Sequence, residues 1–170
     1  LDPQAPAAKI ILISLSDNRG YEEILSGLDM PESSLLEVLC RRIQPRDPDV
    51  IEGHNIFDFD LAYINARAQQ LNIPLTWGRD GSELRVGHGR SRFKVGGRNP
   101  GFRPAYVHGR HIIDTFQQVQ RYDVGGKLES YGLKNAVRAL GLERDDRTFV
   151  QGDQIGRIWK EDPERLIRYA

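Results

Sequence analysis

The pattern of apolar and polar positions divides the first part of the chain into two strands and a helix. Residues 9–16 form a continuous apolar run of strand length, which is typical of a buried strand in the middle of a sheet. Residues 17–20 predict a turn, and residues 21–25 predict a second strand that pairs with the first as a hairpin. Residues 31–44 carry apolar side chains at helical spacing, and we expect Pro45 to end that helix.

A third strand and a second helix follow at residues 50–71. Residues 50–51 indicate the end of a buried strand, and the next apolar residues recur at helical spacing: Leu61, Ile64, Ala68 and Leu71. Asp58 is well placed to cap this helix, and Asp60 falls in its first turn. Because ligands of open α/β sheets bind at the carboxyl edge of the strands, we expect Asp60 to face a binding site. A carboxylate in that position suits a hard cation.

Residues 76–110 have a different character, being rich in glycine, basic and without helical periodicity. The cations are Arg79, Arg85, Arg90, Arg92, Lys94, Arg98, Arg103 and Arg110, against the two acids Asp80 and Glu83. The aromatic residues Phe93, Phe102 and Tyr106 are interleaved with them. One interpretation is a β-hairpin insertion whose cations contact phosphates and whose rings contact bases, with Arg90, Arg92 and Lys94 as candidates. The other interpretation is a solvated loop, and the sequence leaves both open.

The last part of the chain returns to alternating elements. Residues 111–113 predict a strand that rejoins the sheet, and Asp114 is expected to cap the following helix. Residues 128–140 predict another helix, and Asp162 followed by Pro163 marks the start of a last one. The fold class is therefore α/β, with an antiparallel start, a later parallel strand and flanking helices.

Composition narrows the class of protein without deciding its function. A chain of 170 residues fits one domain, and 24 basic against 24 acidic residues give a formal net charge of zero, so no global field attracts nucleic acid. The single cysteine, Cys40, excludes an internal disulfide and is expected to be buried. No signal peptide or membrane span is visible, so we expect a soluble cytoplasmic protein without a membrane partner. The four histidines have no metal-ligand spacing and are predicted to be surface or loop residues.

Asn55, three further residues and then Phe59 and Asp60 form an Asn-x-x-x-Phe-Asp pattern. It resembles the second exonuclease motif of family B DNA polymerases, as do residues 47–55 before it and residues 128–137 later. The resemblance implies an RNase H-like mixed sheet flanked by helices, with residues 76–110 as an insertion. It also implies that residues 1–170 are a single exonuclease-like domain, which we expect to be truncated at both ends.

The resemblance further implies a 3′–5′ exonuclease that acts on DNA by two-metal-ion hydrolysis, as in proofreading. By the same resemblance, Asp60 is a catalytic metal ligand, and Tyr169 belongs to the third motif and orients the attacking water. Asn55 and Phe59 would contact the terminal nucleotides. The implied cofactors are Mg²⁺ or Mn²⁺, two ions in the intact parent. The implied partner is single-stranded DNA or a DNA 3′ end. The parent is either a polymerase, whose polymerase domain would be a further partner, or a stand-alone exonuclease of the same lineage, and the sequence leaves both open.

The chain departs from the family pattern in its acidic residues. The first motif, Asp-x-Glu on the first strand, is absent from residues 9–16, and the final Asp of the third motif would fall beyond Ala170. The one Asp-x-Glu present, at residues 162–164, is explained by helix capping. One carboxylate cannot hold two cations, so we expect the segment alone to be inactive or nearly so. The alternatives are a non-catalytic nucleic-acid-binding relative and an unrelated α/β domain with a fortuitous motif.

Overall fold

The computed structural model of the chain describes residues 8–143 and 150–170. Its strands are β1 Leu12–Ser16, β2 Glu22–Ser26, β3 Val50–Gly53, β4 Arg85–Val86, β5 Ser91–Arg92, β6 Gly101–Phe102, β7 Ala105–Tyr106 and β8 His111–Asp114. Its helices are α1 Glu32–Arg46, α2 Asp60–Leu71, α3 Thr115–Tyr122, α4 Leu133–Ala139, α5 Ile155–Glu161 and α6 Pro163–Tyr169, with a 3₁₀ turn at Gly152–Gln154. The mixture of strands and helices confirms the predicted α/β class.

The first two strands form the predicted antiparallel hairpin. Leu12 pairs with Ser26 and Ser16 pairs with Glu22. The turn is closed by Asp17, whose carboxylate accepts hydrogen bonds from the backbone amides of Arg19 at 2.8 Å and Tyr21 at 3.0 Å. Within the described residues β1 pairs with β2 alone, so the expectation that it lies in the middle of a sheet is not met there.

Helix α1 supplies much of the core. Leu35, Leu36, Leu39 and Cys40 are all buried, which confirms the predicted burial of the thiol. The prediction that Pro45 ends this helix is wrong, because Pro45 lies inside its last turn. The helix ends at Arg46 and is capped by Asp47, which adopts a left-handed conformation with φ 44° and whose amide donates to the carbonyls of Ile43 and Gln44.

Strands β3 and β8 are parallel and adjacent, which confirms the predicted return of residues 111–113 to a sheet. Ile51 pairs with Ile112, and Gly53 pairs with Asp114. Because the strands are parallel, both carboxyl ends lie at the same edge. Helix α2 leaves this edge and buries Leu61 and Ala68 in the main core. The register therefore brings the loop after β3 next to the start of α3.

Residues 84–107 form a long hairpin, which confirms the predicted β-hairpin in the basic segment. Its contacts with phosphates and bases stay a prediction. At its base Arg85 pairs with Tyr106 and Val86 with Ala105, and further out Ser91 pairs with Phe102. The tip is a tight turn in which Gly96 and Gly97 have φ of 50° and 75°, as a two-residue hairpin turn requires. The outgoing arm has residues 87–90 between the two ladders, whereas the returning arm has only residues 103–104.

The last helices pack around a second, smaller core. Leu166 of α6 and Ile158 of α5 are buried there with Val150, and Tyr169 packs against the same cluster. The predicted cap of the last helix is confirmed, because the Asp162 carboxylate accepts from the Arg165 amide at 3.1 Å. No helix in residues 8–143 or 150–170 is long and apolar enough to span a membrane.

The predicted helix at residues 128–140 is shorter in the structure, where α4 spans Leu133–Ala139. The first residues of the predicted helix lie in a loop that Asp123 stabilises. The Asp123 carboxylate accepts from the backbone amides of Lys127 at 2.8 Å and Leu128 at 2.9 Å. These bonds hold Lys127 and Leu128 in the loop that precedes α4.

Candidate functional site

Asp60 is the first residue of α2, close to the carboxyl end of β3. Its side chain is half-buried, and no Lys, Arg or His among the described residues is hydrogen-bonded to it or paired with it. Burial raises the pKa of the Asp60 carboxyl from 3.8 to about 6, and the nearby Asp114 carboxylate adds to the rise. A half-buried carboxylate without a positive partner favours the binding of a cation.

Asp58 is bonded to the hairpin, so the prediction that it caps α2 is wrong. Its Oδ2 accepts from the guanidinium of Arg90 at 3.0 Å, and its Oδ1 accepts from the backbone amide of Arg103 at 2.9 Å. The N-cap residue of α2 is Phe59, without a side-chain capping bond. The hairpin thus supplies two donors in place of the helix amides. Of the two acids in Asp-Phe-Asp, only Asp60 accepts no hydrogen bond from another residue within 8–143 and 150–170.

Asp114 is a structural carboxylate at the end of β8. It is only 2% exposed, and its oxygens accept from the backbone amides of Asn55 at 2.9 Å, Phe57 at 3.4 Å and Phe116 at 2.9 Å. The last of these bonds confirms the predicted cap of α3. Three donors occupy this buried carboxylate, so it fixes the loop after β3 instead of facing solvent.

Asn55 and Phe59 lie on the loop between β3 and α2. Phe59 is 48% exposed, and its ring centroid is 5.9 Å from that of Tyr63. Asn55 is half-buried and has a left-handed backbone with φ 64°. An exposed ring beside a carboxylate is suited to stack on a nucleobase. The contacts of Asn55 and Phe59 with terminal nucleotides remain predictions.

The hairpin presents cations on one face and apolar side chains on the other. Arg92 and Lys94 are exposed, and they alternate with the buried Phe93 and Val95. Residues 84–110 contain no Asp or Glu. The exposed face therefore carries positive charge without acids on the same segment, as phosphate binding requires.

The aromatic residues of the hairpin differ in their availability. Phe93 is 9% exposed, and Phe102 packs between Phe93 at 6.2 Å and Phe57 at 5.1 Å, measured between ring centroids. Tyr106 is 58% exposed. Of these three rings, Tyr106 is the most exposed and the best placed to contact a ligand.

Residues 13–136 match the family model described as DNA polymerase family B, exonuclease domain. The chain belongs to this family. Among similar proteins, the DNA polymerase of Archaeoglobus fulgidus is 29% identical over 99% of this chain and 19% of that polymerase. The DNA polymerase of Desulfurococcus sp. (strain Tok) is 28% identical over 95% of this chain and 20% of that polymerase. The chain thus spans about a fifth of the length of these relatives.

A solved structure shows the same fold. The family B DNA polymerase of the hyperthermophilic archaeon Pyrobaculum calidifontis superposes with a TM-score of 0.70 and 23% identity. The similarity covers 94% of this chain and 19% of that polymerase. The RNase H-like arrangement expected from the sequence is confirmed by this likeness to a family B polymerase.

The described residues of this exonuclease domain do not fit a two-metal centre. Residues 8–143 and 150–170 contain no group of three or more His, Cys, Asp or Glu side chains that could hold a metal ion. Asp60 is open, whereas Asp58 and Asp114 are occupied by protein donors. A single carboxylate does not hold two cations against their mutual repulsion.

Tyr169 is placed by the second core. It lies at the end of α6 and packs with Leu166 against a cluster that includes Ile11 and Leu12 of the first strand region. Its ring is half-buried, and no hydrogen bond between Tyr169 and Asp60 occurs in the described part of the chain. Its predicted role in orienting water remains a prediction.

His54 has a structural role that the sequence did not reveal. It is half-buried, with Nδ1 3.1 Å from Thr115 Oγ1 and Nε2 2.9 Å from the carbonyl oxygen of Tyr131. Its ring also meets that of Phe116 edge-on at 5.6 Å. His54 lies on the loop after β3, as predicted. Its structural contacts were not predictable, because the partners lie far along the chain and no local spacing signals them.

Proposed function

We propose that this chain is the 3′–5′ exonuclease domain of a longer protein and acts on the 3′ end of single-stranded DNA, as in proofreading. The observation that carries the proposal is the half-buried carboxylate of Asp60 at the carboxyl edge of β3, beside the exposed ring of Phe59. The family of the chain supports an exonuclease of this type. Residues 1–170 would form one domain of that protein, with the hairpin as its insertion.

The side chains of the site have distinct roles in this proposal. Phe59 and Asn55 would contact the terminal nucleotides, while Arg92 and Lys94 bind phosphates further along the strand. Asp60 would bind Mg²⁺ or Mn²⁺, and Tyr169 would orient the attacking water. Because the described residues do not fit two ions, we expect the chain on its own to bind DNA but to hydrolyse it slowly or not at all.

The test is a Mn²⁺-dependent degradation assay with the full-length gene product on single-stranded DNA labelled at its 5′ end. We expect ladders that shorten from the 3′ end and that disappear in Asp60→Ala. Glu52→Gln is the matched control, because Glu52 is an exposed acid on the strand that precedes the site. Degradation that is equally fast in Asp60→Ala and in the wild type would refute the role of Asp60.

A second candidate is a non-catalytic DNA-binding relative. It is favoured by one observation, the lack of a three-ligand metal cluster in the described part of the chain. Intact DNA in the assay, together with retained binding of the labelled strand, would select this candidate. Degradation of the strand would exclude it.

A further inference from the structure

The loop that carries Phe59 and Asp60 is joined to the hairpin by a polar contact through Asp58. Both carboxylate oxygens take part, one with the Arg103 amide at 2.9 Å and the other with the Arg90 guanidinium at 3.0 Å. The Asp58 side chain is 30% exposed, so the contact is partly shielded from water. It links positions that are 32 and 45 residues apart in the chain.

The Asp58 contact lies next to one residue pair of the hairpin, Arg92 and Gly101. The same Nη2 of Arg90 that bonds Asp58 also donates to the carbonyl oxygen of Gly101 at 2.6 Å. Gly101 is the residue that pairs with Arg92 across the ladder. A Cβ on Gly101 would lie 3.2 Å from Arg90 Nε, so a side chain there would crowd the guanidinium. Through Arg90, Asp58 is therefore linked to Gly101, the residue that pairs with Arg92.

Apolar packing alone does not fix this alignment. Phe57 and Phe102 also join the loop to the hairpin, with ring centroids 5.1 Å apart. Packed rings tolerate small shifts and rotations, whereas two hydrogen bonds to a carboxylate, one of them from a backbone amide, define a register. The polar contact is thus the directional part of the junction between this loop and the hairpin.

We propose that Asp58 is a positioning residue that aligns the cationic face of the hairpin with the loop of Phe59 and Asp60, so that one DNA strand engages both. This inference rests on the proposed function of the site. It predicts that Asp58 matters for strands long enough to reach Arg92 and Lys94. The affinity for DNA strands that contact only the Phe59 end of the site should not depend on Asp58.

The experiment compares the full-length wild type with Asp58→Asn and with Glu37→Gln. Asparagine keeps an acceptor for the Arg103 amide but loses the ion pair with Arg90. Glu37 is the matched control, since it is an exposed acid paired with Arg41 on α1. Binding without metal is measured by fluorescence anisotropy with oligothymidines of about four and about twenty nucleotides, which span less and more than one site of this kind. Hydrogen exchange of the Arg103 amide directly reports the hydrogen bond between this amide and residue 58.

We expect Asp58→Asn to weaken binding of the longer strand by about threefold to tenfold and to leave the shorter strand unchanged, as loss of one partly shielded ion pair suggests. Exchange at the Arg103 amide should accelerate, and Glu37→Gln should change neither readout. Equal weakening for both lengths, or none, would overturn the inference while leaving the proposed function in place. A wild type that binds neither strand would overturn both, and the exchange data would still show whether Asp58 holds the hairpin.

Discussion

The backbone amide of Asn55 donates a 2.9 Å hydrogen bond to the carboxylate of Asp114, which is 59 residues further along the chain. The two meet because β3 and β8 are parallel neighbours and Gly53 pairs with Asp114. Asp114 closes the loop that leads from β3 to Asp60 and at the same time caps α3. One buried side chain thus fixes both elements that leave this edge of the sheet.

We expect Asp114→Asn to lower the free energy of unfolding by about 2 to 3 kcal/mol, because the new amide turns N–H groups toward backbone N–H donors in a buried place. Chemical denaturation measures the effect. Asp29→Asn serves as the control, since Asp29 is exposed. If Asp114→Asn changed the free energy of unfolding as little as Asp29→Asn, the loop after β3 would not depend on the Asp114 carboxylate.

Much of the fold was predictable from local pattern. The hairpin at the start, the strand at residues 111–113 and the caps at Asp114 and Asp162 follow from apolar periodicity and capping chemistry, and the structure confirms them. These features depend on residues close together in the sequence, which is where local rules apply.

Two features that the sequence pattern does not reveal have the same cause, which is a partner far along the chain. Asp58 has the sequence position of a cap, yet the hairpin brings donors from Arg90 and Arg103 to it. His54 has no informative spacing, yet it meets Thr115 and the Tyr131 carbonyl. Tertiary contacts of this kind override local propensity, and they leave no periodic signal.

A buried ion pair between α1 and α2 provides a second test of stability. The Arg67 guanidinium binds both oxygens of Glu32, at 2.8 and 2.7 Å, and their side chains are only 5% and 6% exposed. Glu32→Gln leaves the guanidinium without its counter-charge and should cost about 3 kcal/mol in unfolding free energy. Glu37→Gln on the exposed face of the same helix should change stability by less than about 0.5 kcal/mol.

Denaturation of both variants at neutral pH decides this prediction. Equal stability of Glu32→Gln and Glu37→Gln would mean that the buried pair is replaceable without cost.

Asp60→Asn is expected to stabilise the protein when no divalent cation is present. Burial raises the pKa of the Asp60 carboxyl to about 6, so at neutral pH its charged form is disfavoured in the folded state. Removing the charge should add about 1 to 2 kcal/mol, allowing for the solvent that still reaches the group.

The gain should shrink when Mn²⁺ is added, because the ion stabilises the wild type by binding its folded state. Thermal unfolding in EDTA and in excess Mn²⁺ provides both values. A stability difference that is identical in the two buffers would argue against cation binding at Asp60.

The loss of folding stability at acidic pH should depend in part on Glu23. The hydrogen bonds from Arg42 and then from Tyr21 lower the pKa of the Glu23 carboxyl from 4.5 to about 2. A carboxyl with a lowered pKa contributes stability above its unfolded value and loses it as the pH falls toward the folded value. The wild type should therefore lose stability between pH 4.5 and about 2 more steeply than Glu23→Gln.

Melting temperatures across that range provide the comparison. Parallel curves for the two proteins would assign the acid sensitivity to other carboxylates.

The unequal arms of the hairpin mean that chain length, as well as residue identity, sets the direction in which its tip points. The four residues 87–90 stand opposite the two residues 103–104, and such an excess bends and twists a ladder. Removing two residues from the longer arm would make the arms equal and aim the cationic tip elsewhere, with every charged side chain retained. Homologues that differ in length at residues 87–90 are therefore expected to bind single-stranded DNA along different paths, even where their hairpins carry the same charged residues.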